Sequence, residues 1–260
     1  QMCIRHRAHG TPLLRPARPR GDEFVAALEA LAPDCCPVVA YGALIPAPVL
    51  AVPRHGWVNV HFSLLPAWRG AAPVQRAILA GDTRTGITVF DLVAALDAGP
   101  VYRQEASELG GAETAGAVLA RLADRGAELL IEVLEGIENG TLEATPQPEE
   151  GVTLAPKLTV ADARIDWTQP AAAIDRQVRA CNPTPIAWTT RAGDRFRVLL
   201  ARPHAGTVLA PGELRLDKRS VHVGTGRGVL ELLTVQPAGK RAMPAADWGR
   251  GLGEVPGGFE

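Results

Sequence analysis

Two kinds of hydrophobic pattern divide the chain. In the first part, short apolar runs alternate with stretches of helical spacing. Residues 23–31 place Phe24, Leu28 and Leu31 on one helical face, and Pro33 stops them. Residues 36–42 form an almost unbroken apolar run, as a buried parallel strand does, with 43–46 as the loop at its end. Residues 57–62 alternate, which predicts a strand with Asn59, His61 and Ser63 on one face. Residues 71–81 have proline near the start and glycine at the end, the punctuation of a helix. Strands are expected at 87–92 and 101–105, joined by a turn at 94–100. A helix capped by Thr114 is expected to reach residue 123, and a second to span 127–138. Strands interleaved with helices predict an α/β fold with a doubly wound, mostly parallel sheet.

The pattern changes after Gly140. Residues 145–151 are rich in proline and acid, and no strong period returns until a helix at 171–180. Short apolar segments follow at 187–190, 196–200, 220–223 and 229–235. Their spacing of about ten residues predicts a small OB-like β-barrel. The expected division is a catalytic domain over 1–145, a linker over 146–170 and a barrel domain over 171–260. A chain of 260 residues, 47% of them hydrophobic, has room for two such cores.

Charge adds one asymmetry. Residues 172–260 carry 13 Lys and Arg against 8 Asp and Glu, whereas the rest of the chain carries 14 against 20. A basic second part is compatible with a polyanionic partner. Cys3, Cys35, Cys36 and Cys181 fit no metal spacing, so no metal is expected and a reduced, cytoplasmic protein is the simple reading. No apolar run approaches the roughly 20 residues of a membrane span.

Candidate chemistry gathers at Asn59, His61 and Asp97. An amide N–H can stabilise an oxyanion formed during acyl transfer, and neutral imidazole can take a proton from an attacking amine. A carboxylate nearby would fix the imidazole tautomer. Singly, each residue has an ordinary alternative: a loop hydrogen bond for Asn59, packing for His61, a turn for Asp97. Ser63 reads as a loop hydroxyl, since no nucleophile elbow surrounds it, Trp68 as packing and Arg69 as a solvated charge.

Taken together, the residues resemble a known family. Asn59-Val60-His61-Phe62-Ser63-Leu64-Leu65-Pro66-Ala67-Trp68-Arg69-Gly70 matches the Asn-x-His and Ser-Leu-Leu-Pro-x-x-Arg-Gly signature of the 10-formyltetrahydrofolate-dependent formyltransferases, with Asp97 as their downstream aspartate. Ala40-Tyr41-Gly42, the Gly70–Ala77 and Ala155–Thr159 stretches, and Gln236–Met243 with Asp247-Trp248 are also similar, in the right order. Within the family the chain is most similar to members that formylate the methionine of initiator Met-tRNA. The resemblance implies a catalytic set of Asn59, His61 and Asp97, and 10-formyltetrahydrofolate as co-substrate. It places the folate beside Tyr41, Gly42, Leu44, Ile45, Pro46, Ser63, Leu64, Leu65, Pro66 and Asp97. It also implies an OB-like domain that holds tRNA, for which Arg195, Arg197, Lys218, Arg219, Lys240 and Arg241 are candidates, and a monomer with no membrane association.

The family opens with a strand, a Gly-Thr-Pro turn and a basic loop. Gly10-Thr11-Pro12 does not occupy that place, so the chain is expected to be an N-terminally truncated fragment with an exposed sheet edge. Sugar-nucleotide N-formyltransferases, other formyltetrahydrofolate-using enzymes and glycinamide ribonucleotide formyltransferase share the Asn-His-Asp set. The Gly239–Trp248 region favours the tRNA-directed members. A noncatalytic RNA-binding remnant is disfavoured by the intact set.

Overall fold

Hydrophobic side chains collect into two cores, one against each of two sheets. The computed structural model describes residues 10, 12–39, 41–42, 44–206, 208–252 and 257–260. The first sheet has the order β1 (Cys36–Val38), β2 (Trp57–His61), β3 (Arg84–Asp91), β4 (Val101–Glu108). Helices α1 (Asp22–Leu31), α2 (Ala47–Leu50), α3 (Pro73–Ala80) and α4 (Ala115–Glu138) accompany it.

The expectation of a mostly parallel sheet is corrected. Among the described residues only β1 and β2 run parallel, while β2–β3 and β3–β4 are antiparallel. The short loop after Asp91 turns β3 directly into β4, a connection that permits only antiparallel pairing. Thr88 lies opposite His61, so the loop, α3 and its turn leave and re-enter the sheet at the same end. Strand β1 is shorter and less buried than a central parallel strand. Among the described residues it pairs on one side only, Pro37 has no N–H to donate, and Val39 is 59% exposed.

Residues 115–138 form one helix of 24 residues where two were expected, with the Thr114 hydroxyl accepting from the Ala117 N–H at its start. Val118, Leu122, Gly126, Leu129, Val133 and Ile137 bury one face at helical spacing. Gly126, in the gap between the two expected helices, is a point of close approach. A Cβ there would stand 3.1 Å from Val60 Cγ1 and 3.3 Å from Phe62 Cε1. The modest cost of glycine inside a helix, about 0.5–1 kcal/mol, is offset by packing of α4 on the sheet.

The second sheet follows α5 (Ala171–Ala180) and has the order β5 (Ala187–Arg191), β6 (Asp194–His204), β9 (Val229–Gln236), β8 (Val221–Gly224), β7 (Leu214–Leu216). Strand β10 (Met243–Pro244) pairs with β9 and leads into α6 (Ala245–Arg250). Its pairings form an open path, so the expected barrel is not closed by its strands among the described residues. Other segments occupy the end strands. Ile165 N–H donates to the Trp188 carbonyl at 2.7 Å, and Trp188 N–H to Ala163 at 2.9 Å. Phe259 N–H donates to Gly212 and Glu260 N–H to Thr190, so the segment 257–260 bridges from the turn before β7 to β5. Phe259 stacks on Trp167 at 5.3 Å inside the core.

Residues 146–170, expected as a linker, lie against the protein and bury Ala155, Leu158, Ala163, Ile165 and Trp167. They show no period because backbone hydrogen bonds to scattered loops hold them. Leu79 packs against both cores, and Arg176 Nε donates to its carbonyl at 3.2 Å.

Replacing Gly126 with valine puts branched methyl groups against Val60 and Phe62, so the variant is expected to lose about 1–3 kcal/mol by overpacking. Chemical denaturation measures it. Unchanged stability would mean that α4 is not held at this point.

Candidate active site

Strand β2 sorts its residues by face. Val58 and Val60 join the core under α4, and Asn59 and His61 face a cavity that also reaches Val60, Phe62 and, on α4, Leu119. The alternation stops at His61, where the strand ends. Ser63 is therefore turned away: its hydroxyl donates to the Ala67 carbonyl at 2.5 Å, and its own carbonyl accepts from Thr88 Oγ1. The Leu65 N–H donates to Thr88 Oγ1, and the Leu65 carbonyl accepts from Gln104 Nε2.

The loop then delivers a carbonyl to the histidine. Trp68 adopts φ 62°, and its carbonyl lies 2.9 Å from His61 Nε2. A carbonyl only accepts, so Nε2 carries the proton and the neutral ring has its lone pair at Nδ1. Asp97 Oδ2 is 3.8 Å from that Nδ1 and accepts from the Gly70 N–H at 2.7 Å. Burial holds the imidazole below its ordinary pKa, opposed by the Asp97 charge and the Trp68 carbonyl. Nδ1 is thus poised to take a proton, with a carboxylate beside the cation that results. Among the described residues the Asn59 side chain has no hydrogen-bond partner and faces the same cavity.

The connector holds this loop in place. Trp68 N–H donates to Thr153 Oγ1, Arg69 N–H to the Thr153 carbonyl, and Ala155 N–H to the Arg69 carbonyl. Gly70 has φ +126°, and a Cβ would stand 2.8 Å from the Ala155 carbonyl. Gln147 fixes the aspartate side. Its Nε2 donates to the Asp97 and Gly99 carbonyls, both at 2.8 Å, while its Oε1 accepts from Arg69 Nη2 at 2.6 Å and Nε at 3.2 Å. All its amide valences are committed, which locks Asp97 at φ 46°. Arg69 is therefore a structural donor, not the solvated charge expected, and Trp68 Nε1 donates to Asp82.

The cavity holds about 420 Å³. Tyr41, Gly42, Leu44, Ile45 and Asp97, all expected at the folate, line it, whereas Pro46, Ser63, Leu64, Leu65 and Pro66 do not. Phe62, Gly70, Gln75, Leu92, Leu96 and Leu119 also line it and were missed. Leu44 and Leu96 are 66% and 51% exposed at its edge. No lysine or arginine lines it among the described residues, so it suits a flat, uncharged heteroaromatic group better than a phosphate.

An amide, a buried imidazole and a carboxylate face an apolar cleft, a set whose chemistry suits acyl-type transfer without a protein nucleophile. Residues 2–134 match the formyl transferase family and residues 157–253 the formyl transferase C-terminal domain, and the chain belongs to that family. Similar curated proteins are methionyl-tRNA formyltransferases. That of Streptomyces griseus is 56% identical over 244 residues, covering 94% of this chain and 79% of its own. That of Salinispora arenicola is 57% identical over 244 residues, with the same coverage. Among solved structures, HypX from Aquifex aeolicus in complex with tetrahydrofolic acid is 25% identical with a TM-score of 0.69. That likeness covers 88% of this chain but only 40% of HypX.

Replacing Gln147 with alanine releases the Asp97 turn from two of its carbonyl anchors. Misplacement by about an ångström can cost on the order of a hundredfold, so formyl-transfer turnover should fall by about ten- to a hundredfold with the fold intact by circular dichroism. Wild-type turnover would remove Gln147 from the positioning machinery.

Proposed function

We propose that the protein transfers the formyl group of 10-formyltetrahydrofolate to the α-amine of methionine on initiator Met-tRNA, for translation initiation. One observation carries the reading: His61 is fixed by the Trp68 carbonyl with Nδ1 towards Asp97, beside Asn59 and a cleft of fitting size. The folate supplies the formyl carbon, and the apolar walls at 41–45 and 92–97 suit its heteroaromatic head.

The roles of the chain's own residues follow from their atoms. The Asn59 amide donates to the oxygen that gains charge when the amine adds to the formyl carbon. His61 Nδ1 accepts the proton that the nitrogen loses, and Asp97 stabilises the imidazolium. The same proton can then pass to the folate nitrogen as its bond to carbon breaks, which returns His61 to the neutral state. Residues 1–145 would carry this chemistry and 171–260 would hold the tRNA, with 146–170 between them. Arg195 and Arg197 lie near the start of β6, and Arg197 is tied through Gln236 to the Lys240 carbonyl. Lys218 and Arg219 are exposed between β7 and β8. No helix among the described residues is long and apolar enough to cross a membrane. The same reading has the enzyme act as a cytoplasmic monomer, which sedimentation and cell fractionation check.

Alanine at Asn59, His61 or Asp97 should each lower turnover at least about a hundredfold with the protein folded, and Met-tRNA should be formylated far faster than a nucleotide-linked amino sugar. Near-normal turnover of His61→Ala, or preference for the sugar, would overturn the assignment.

The pH profile tests the electrostatics. Below about pH 8 the amine gives a log-rate slope of about one, and protonation of His61 adds a second break below about 6.5. Asp97 raises the His61 pKa, so Asp97→Asn should move that break to lower pH while reducing the maximum rate. A break that moves upward contradicts the pairing.

Neutralising Arg195, Arg197, Lys218, Arg219, Lys240 and Arg241 should weaken tRNA binding and flatten its salt dependence by about 0.7–0.9 in log–log slope per lost contact. An unchanged slope would take these six off the tRNA interface.

A further inference from the structure

The second sheet carries a cluster that formyl transfer does not use. Strands β6, β9 and β8 lie side by side, with His222 directly opposite Glu231 on one flank and Arg202 opposite it on the other. His204, two residues beyond Arg202, falls diagonal to Glu231 on the same face. Val221, Val223, Leu230 and Leu232 point into the core, so His222 and Glu231 lie on the opposite face. One ligand-type atom from each of His204, His222 and Glu231 lies within 4.8 Å of the others, and the two imidazole centroids are 4.4 Å apart.

The surroundings prepare His222 as a donor. Its Nδ1 lies 3.0 Å from Asp217 Oδ2, nearer than Arg215 Nη2 at 3.5 Å. A carboxylate there accepts the Nδ1 proton and leaves Nε2 bare, the arrangement by which a second carboxylate orients a metal-binding histidine. Two groups oppose a cation: the Arg215 guanidinium beside His222, and Arg202, whose Nε donates to Glu231 Oε2 at 2.8 Å. The Arg202 side chain is 64% exposed and can turn to solvent, and Glu231 retains its second oxygen.

We infer that His204, His222 and Glu231 bind one divalent transition-metal ion of the zinc class, with Asp217 orienting His222. Two imidazole nitrogens and one carboxylate suit zinc better than magnesium or calcium, which take oxygen ligands. Three protein ligands leave a fourth position for water. The ion clamps β6, β9 and β8 across the face away from the core. None of these residues lines the formyl-transfer cleft, so the inference stands apart from that reaction.

The test uses the full chain after treatment with a chelator. Zinc binding is followed by calorimetry, and cobalt, as a coloured substitute, by absorption. The expected result is one ion per chain, with affinity reduced at least about tenfold by His204→Ala, Glu231→Gln or Asp217→Asn. His204 and Asp217 are exposed enough that their variants should fold even where a His222 variant fails. Cobalt should show no thiolate-to-metal band. Absence of binding, unchanged affinity in His204→Ala and Glu231→Gln, or a thiolate band abolished by Cys35→Ser with Cys36→Ser would overturn the inference, the last by moving the metal to the cysteines.

Discussion

The hydrogen bond between His61 Nε2 and the Trp68 carbonyl decides what the active site can do. A buried imidazole with two free nitrogens can adopt either tautomer, and its chemistry is then undefined. Here a backbone carbonyl removes the choice and directs the basic nitrogen to the cleft and to Asp97. Much of the surrounding structure fixes where that carbonyl lies. Trp68 is held in the left-handed region by Thr153, and Gly70 gives the backbone its tight passage beside Ala155 while donating to Asp97.

Charge and burial act against each other at this point. Burial favours neutral His61, and the Asp97 carboxylate favours the cation. The base role proposed for His61 benefits from both influences, since neither state is held too firmly. Asp97 is itself restrained by the Gly70 N–H and, through its backbone, by Gln147. Its charge therefore stays at one distance from the ring instead of turning to solvent.

The meeting of Asn59 and His61 at one cavity is legible in the sequence because the two share a strand. Alternation along 57–61 places Asn59 and His61 on one face, and proline and glycine bound the helix that follows. The same alternation misled at Ser63, where the strand had already ended. Gln147 and Thr153 leave no signal, since their partners lie far away in the chain, and Ala155 reads only as part of a similar stretch, with nothing to show that it holds the loop. Sheet direction was misread because strand–helix–strand order does not reveal a helix that enters and leaves at one end of the sheet. The strand pairings of the second sheet leave its path open, and the segments along its end strands, 163–165 and 257–260, have no strand pattern that a sequence reading could use. His204, His222 and Glu231 come from three strands and form no local spacing motif.

The path of the connector bears on how such proteins can be recombined. The two family matches stop at residue 134 and resume at 157, as if the stretch between were a neutral joint. Yet Gln147, Thr153 and Ala155, which shape the catalytic loops, all lie within it. A chimaera that replaces the second unit at residue 140 inherits Asn59, His61 and Asp97 but must rebuild their scaffold. One spliced at residue 157 keeps both, so the functional border of the catalytic half lies on the far side of the apparent joint.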